Sequence, residues 1–166
     1  MHVLYARGEL IAGSVYLVNQ LVTLGATCQI YDVTDTKLGV RRVLKILATG
    51  RDSVFDRRMI REWQMLAGFD HPNIVRIITA NRTADANSLP YYVMERLEGQ
   101  DLRRWLKSAG KFPIARALSI GNDVLCGLQA AHSRGILHRD VKPENIFLSR
   151  APSSPWYDVK LLDFGS

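Results

Sequence analysis

The chain has 166 residues, 47% hydrophobic and 23% charged, enough for one sizeable core or two small lobes of a globular protein. No run approaches the roughly 18 consecutive apolar residues of a membrane helix, and Arg7 and Glu9 break up the first positions, so neither a membrane segment nor an export signal is expected. The net charge of +6 raises nucleic acid as a partner, but the cations are scattered among acids without an aromatic platform or finger spacing, which points to a solvated basic surface and no nucleic acid. Cys28 and Cys126 stand outside any metal-ligand spacing and suit free thiols in a reducing, cytoplasmic setting.

Residues 1–15 form an N-terminal extension. Tyr16 to Leu24, Cys28 to Thr34 and Val40 to Leu47 are rich in Val, Ile, Leu and Tyr, separated by Gly25 and by Thr34-Asp35-Thr36-Lys37-Leu38-Gly39, so they read as a three-strand antiparallel meander. Ser53 and Asp56 resemble a capping box, and Phe55, Met59, Trp63 and Leu66 then recur at helical spacing until Gly68. Ile74 to Thr79 and Tyr91 to Arg96 return to strand composition, which predicts a five-stranded sheet with one helix as a lobe over 16–97.

From 98 to 166 the pattern turns mainly helical. Asp101 predicts a cap for a short helix through Lys107, and Pro113 opens a longer one with an apolar stripe of Ile114, Leu118, Leu125, Leu128 and Ala131, ended by Gly135. Ile146 to Leu148 and Val159 to Leu162 read as short strands around a Ser- and Pro-rich loop, Ser149 to Pro155, and deliver Asn145 and Asp163 at their edges.

Two motifs concentrate the chemistry: His138-Arg139-Asp140-Val141-Lys142-Pro143-Glu144-Asn145, and Asp163-Phe164-Gly165. Phosphoryl transfer leaves little covalent work to a protein; it needs positioning, charge neutralisation and an acceptor for the substrate hydroxyl proton. Lys45, in Val43-Leu44-Lys45-Ile46-Leu47, shares a strand face with Val43 and Leu47, where a bare ammonium is costly unless paired. Glu62 lies inside the apolar stripe of the predicted helix and offers that partner, although Arg58 one turn earlier is an alternative.

With these motifs the chain resembles the N-lobe and the first part of the C-lobe of a eukaryotic-type serine/threonine protein kinase, from about Tyr16 to Ser166. The resemblance implies an α+β fold, ATP and Mg²⁺ as cofactors, and protein substrates. It implies Asp140 as proton acceptor, Lys142 on the γ-phosphate, Asn145 and Asp163 as Mg²⁺ ligands, and Lys45, paired to Glu62, on the α- and β-phosphates. Met94 resembles the gatekeeper beside the Glu95 and Leu97 backbone that would meet adenine. Ile30 and Phe147 resemble the roof and floor of the adenine slot, with core packing as the competing role, and Asp101 is placed near the ribose. His71-Pro72-Asn73-Ile74-Val75 resembles the family's link between helix and fourth strand. Leu66, Ile77, His138 and Phe164 resemble its apolar column, and Arg139 the residue that grips a phosphorylated activation loop.

The pattern also departs from the family. Leu24-Gly25-Ala26-Thr27-Cys28-Gln29-Ile30 keeps one of three phosphate-loop glycines and is two residues short, and Val43 replaces a small alanine over the adenine. The stretch from Asn145 to Asp163 is long and carries Trp156 and Tyr157. With nothing after Ser166, the lower lobe is expected to be incomplete, to expose apolar surface on the Pro113 helix, and to invite a covering partner. A pseudokinase-like binding or regulatory module is therefore the second reading. A small-molecule phosphotransferase is the third, disfavoured by Lys142-Pro143-Glu144.

Overall fold

Strong strand formers with alternating burial build the first sheet. The computed structural model describes residues 2–47, 54–150 and 157–164, without the side chains of 54–56 and 58. The capping pair Ser53 and Asp56, the side chains of Phe55 and Arg58, and Trp156 and Gly165 lie outside the described residues. Strands β1 (Tyr16–Leu24), β2 (Cys28–Asp35), β3 (Val40–Leu47), β4 (Ile77–Arg82) and β5 (Pro90–Glu95) form one antiparallel sheet in the order β1-β2-β3-β5-β4.

Two-residue alternation gives this sheet two chemically different faces. Tyr31 and Val33 on β2, Leu44 and Ile46 on β3, and Tyr91 and Val93 on β5 point into one buried cluster. The opposite face receives helix α1 (Val54–Ala67), whose Met59, Trp63 and Leu66 are buried. Trp63 meets Tyr92 there at 4.7 Å between ring centroids.

The N-terminal extension is built into the first face. Ile11 is fully buried in the apolar cluster, with Leu4 and Tyr5 packed against it. Backbone bonds run from Gly8 N to Val18 O and from Val18 N to Glu9 O, both 2.8 Å. The buried Gln29 accepts from Leu4 N at 3.0 Å, donates to His2 O at 2.7 Å, and also bonds the Tyr31 hydroxyl. Tyr5 donates its hydroxyl to Asp85 at 2.8 Å, and burial, helped by that carboxylate, pushes its pKa up to about 12.

Met1–Gly68 with Ile77–Arg96 forms one compact unit, and Phe69–Arg76 with Leu97–Ser166 a second. The second unit holds a three-stranded sheet, β6 (Gly99–Asp101), β7 (Ile146–Arg150) and β8 (Tyr157–Leu161), in that order. It also holds helices α2 (Leu102–Ala109) and α3 (Ile114–His132) and a 3-10 turn, Pro143–Asn145.

Several local expectations shift. The fourth strand begins at Ile77, not Ile74, because the chain at 73–75 bonds to β8: Leu161 N donates to Asn73 O at 2.8 Å and Val75 N to Leu161 O at 2.9 Å. Helix α3 ends at His132, with Ser133 as its cap, before Gly135 takes its left-handed φ of 72°. On α3 the buried residues are Ile120, Val124, Gly127 and Ala131, whereas Ile114, Leu118 and Leu125 of the expected apolar stripe are 80%, 69% and 65% exposed. The expected Asp101 cap is present: its carboxylate accepts from Arg104 N at 2.8 Å.

Candidate active site

The residues expected to form the catalytic loop are placed by the short sheet of the second unit. Pro143, with its fixed φ, opens the 3-10 turn, and Asn145 ends it at the mouth of β7. The last register pair of the β7–β8 hairpin is Ile146 with Leu161. One step beyond it, Leu162 N donates to Asn145 O at 2.9 Å. This bond ties the residue before Asp163 to Asn145, so both oxygen-bearing side chains emerge at the same end of the hairpin.

Asn145, 6% exposed, donates its side-chain amide to the backbone oxygen of Asp140 at 2.8 Å and to its Oδ2 at 3.0 Å. Lys142 Nζ donates to the same Oδ2 at 2.5 Å. These bonds favour the charged form. The Lys142 hydrogen bond, with Asn145 assisting, holds the Asp140 carboxyl below the usual carboxylate range, and the same bond raises Lys142. Asp140 is therefore an anion at neutral pH, able to accept a hydrogen bond from a hydroxyl.

Support for the loop comes from His138, which is 1% exposed. Its Nδ1 accepts from Asp140 N at 3.3 Å, and its ring lies 4.5 Å from that of Phe164. Burial depresses its pKa, so the ring is neutral at pH 7 and serves as packing and acceptor. Arg139 and Asp163 adopt left-handed φ values of 65° and 56°. Non-glycine residues hold such angles at a cost of about 1–3 kcal/mol each, a strain typical of functional loops.

Phe147 is half-buried on β7 opposite Asp101 of β6. Asp101 is already engaged by Arg104, through the helix cap and an ion pair at 3.3 Å. Leu97 opens the second stretch of this unit.

The first unit carries the other expected residues. Cross-strand register places Ile30, Lys45 and Tyr92 in one row of the sheet and Asp32, Val43 and Met94 in the next, on the face that α1 covers. Tyr92, the strand partner of Lys45, meets Trp63, the sequence neighbour of Glu62; Lys45 and Glu62 are both half-buried. Glu95 ends β5. Gly25 sits in the β1–β2 turn, where its N–H donates to Cys28 O at 2.9 Å. Sequence reading passed over Asp32, whose partners come from three other places in the sheet.

The donor set fits magnesium. Asn145 and Asp163 offer hard oxygens at one hairpin end, and among the described residues no three His, Cys, Asp or Glu side chains converge. Mg²⁺ takes one or two protein ligands along with water and phosphate oxygens, not an all-protein cage.

Fold and catalytic loop together define a protein kinase domain, and the protein kinase domain model matches residues 16–166. The chain belongs to that family. A probable serine/threonine-protein kinase of Streptomyces coelicolor is 36% identical over 156 residues, covering 92% of this chain and 22% of the relative. The probable serine/threonine-protein kinase PknB of Bifidobacterium longum is 34% identical over 163 residues, 93% of this chain and 23% of the relative. The chain thus spans between a fifth and a quarter of the length of these relatives. The crystal structure of the PknI kinase domain of Mycobacterium tuberculosis superposes with a TM-score of 0.82 at 28% identity, covering 97% of this chain and 63% of that one. Among the described residues no helix is long and apolar enough to cross a membrane.

Proposed function

We propose that this chain is part of the catalytic domain of an ATP-dependent serine/threonine protein kinase, which transfers the γ-phosphoryl group to Ser or Thr hydroxyls of protein substrates. The observation that carries this reading is the single carboxylate oxygen of Asp140 held by both Lys142 and Asn145, with Asn145 tied through Leu162 to the strand that leads into Asp163. The names of the serine/threonine kinase relatives agree with it.

In this mechanism Asp140 orients the substrate hydroxyl and takes its proton as the oxygen attacks phosphorus. Lys142 moves from Asp140 onto the γ-phosphate, which unmasks the carboxylate for the hydroxyl. Asn145 and Asp163 would hold Mg²⁺, which would neutralise phosphate charge. With its side-chain nitrogen donating to Asp140, Asn145 would offer its Oδ1 to the ion. In the first unit Lys45, paired with Glu62, holds the α- and β-phosphates. By the family resemblance Ile30, Val43 and Phe147 are assigned to the base, and Met94 to the gate of the slot. The Glu95 and Leu97 backbone reads adenine, Asp101 attends the ribose, and the amides after Gly25 approach the phosphates. The free thiols of Cys28 and Cys126 fit a cytoplasmic setting. The exposed row of Ile114, Leu118 and Leu125 supports a further apolar cover on α3.

The test is thermal stability with Mg-ATP. A ligand at a hundredfold its Kd adds about 2.7 kcal/mol, so millimolar Mg-ATP raises the melting temperature of a nucleotide-binding chain by several degrees. An unchanged melting temperature favours a scaffold role and overturns the catalytic one.

A further inference from the structure

Asp32 is a buried carboxylate of the first unit that accepts four hydrogen bonds, and none of the roles above uses it. It lies 4% exposed on β2, on the sheet face away from the apolar cluster. Its Oδ1 accepts from Asn19 Nδ2 of β1 at 2.9 Å and from Arg41 Nε of β3 at 3.1 Å. Its Oδ2 accepts from Arg41 Nη2 and, at 3.3 Å, from Arg96 Nε. One carboxylate thus gathers side chains from β1, β3 and the residue that follows β5.

A buried carboxylate is an expensive sheet brace, because desolvating the ion costs several kcal/mol that its partners must offset. An apolar side chain of similar volume would hold β1, β2 and β3 together at less cost. What the acid adds is directional hold on Arg96, 64 residues away in sequence. Arg96 stands between Glu95 and Leu97, the two positions whose backbone reads adenine in the proposed function. Asp32 also shares its register row with Val43 and Met94, two of the side chains assigned there to the adenine slot.

We propose that Asp32 is a positioning residue for nucleotide binding: without touching the nucleotide, it fixes the Glu95–Leu97 backbone through Arg96. The inference rests on the nucleotide-site reading. It predicts a division of labour, in which loss of the brace loosens the grip on the base and leaves the grip on the phosphates intact. A general loss of stability would weaken both.

The experiment measures dissociation constants of Mg-ATP and of Mg-tripolyphosphate, which lacks base and ribose, by calorimetry on the 166-residue chain. Asp32→Asn keeps the shape but loses the charge. Arg96→Gln removes the far partner and stands in if the first variant does not fold. Each is expected to weaken Mg-ATP about five- to tenfold, the effect of losing a charge-assisted hydrogen bond, and to leave tripolyphosphate within about twofold. The double variant is expected to be no weaker than either single one, because both cut the same link. Arg41→Gln, which removes a partner of Asp32 without removing the bond from Arg96, is expected to stay near wild type. Equal weakening of both ligands, or an unchanged Mg-ATP constant, overturns the positioning role alone. A wild-type chain that does not bind Mg-ATP at all overturns the nucleotide-site reading, and this role with it.

Discussion

Asn145 holds Asp140 at two points, donating its amide to the backbone oxygen at 2.8 Å and to the carboxylate at 3.0 Å. The pair locks the position of the acid within a loop that contains left-handed Arg139. Asn145→Ala removes both bonds at a nearly buried site and leaves the Asp140 oxygen without that donor. On the proposed function, the expected result is loss of phosphoryl transfer by at least about a hundredfold, in line with general-base and positioning effects. Asp140→Asn is expected to match that loss with an unchanged circular dichroism spectrum. Retained transfer in Asp140→Asn removes the proton-acceptor role.

Lys142 lowers the pKa of the same acid. Because its ammonium, donating to Asp140, is the chief reason that the carboxyl sits low, Lys142→Met should move the Asp140 titration upward toward the ordinary carboxylate value of 3.8. Carbon-detected NMR of the side-chain carboxyl reads this directly. An unmoved midpoint means that the contact does not persist in solution.

His138 gives the chain a mild pH dependence in an accessible range. Its folded pKa lies below the ordinary value of 6.5, so the unfolded chain takes up the proton more readily. Its contribution to stability is full above that value and falls as pH drops from about 6.5 through the folded pKa. Urea unfolding at steps between pH 7 and pH 5 should show this slope, and His138→Phe, which keeps a ring against Phe164, should flatten it. A slope of equal size in that variant assigns the effect to other groups.

The catalytic loop was legible because its signals are local: Asp140, Lys142 and Asn145 span six positions, and Pro143 sets the turn that joins them. The five strands and α1 were legible for a related reason, since alternation and helical spacing are properties of short windows. What escaped depends on distant partners. Strand β6 is three residues long and contains Gly99, so it exists only through its pairing with β7. Ile74 reads as strand by composition, yet Asn73 and Val75 on either side of it bond to Leu161. Along α3 two apolar rows compete for the core. The one containing Gly127 packs inward because a bare Cα is needed there, an added Cβ lying 2.9 Å from Asn73 O.

Gly99 shows how tightly β6 is held. Its φ is 144°, and a Cβ there would fall 2.0 Å from the backbone oxygen of Leu148, its diagonal neighbour across the β6–β7 ladder. No side-chain rotation relieves a clash with backbone, so Gly99→Ala must part the strands. A destabilisation of about 2–4 kcal/mol is expected from strain plus lost pairing, with faster amide exchange at Gln100 and Leu148. Wild-type stability in this variant would rule out the pairing.

The N-terminal extension is the least predictable part of the fold and offers the clearest stability test. Residues 2–15 show no periodicity, but Ile11 is fully buried and its N–H donates to Tyr16 O at 3.0 Å. Tyr31 and Gln29, also buried, take bonds from Tyr5 N and Leu4 N. An unanchored tail would leave Gln29 with unsatisfied polar atoms in an apolar setting, which is unfavourable. Ile11→Ala is therefore expected to cost about 2–5 kcal/mol, the range for emptying a core site. Val22→Ala, at a position 56% exposed on β1, should stay within about 0.5 kcal/mol of wild type. Urea denaturation of both variants makes the comparison. If Ile11→Ala proves as mild as Val22→Ala, the extension does not belong to the core of the first unit, and removing residues 2–13 should then leave the melting temperature unchanged.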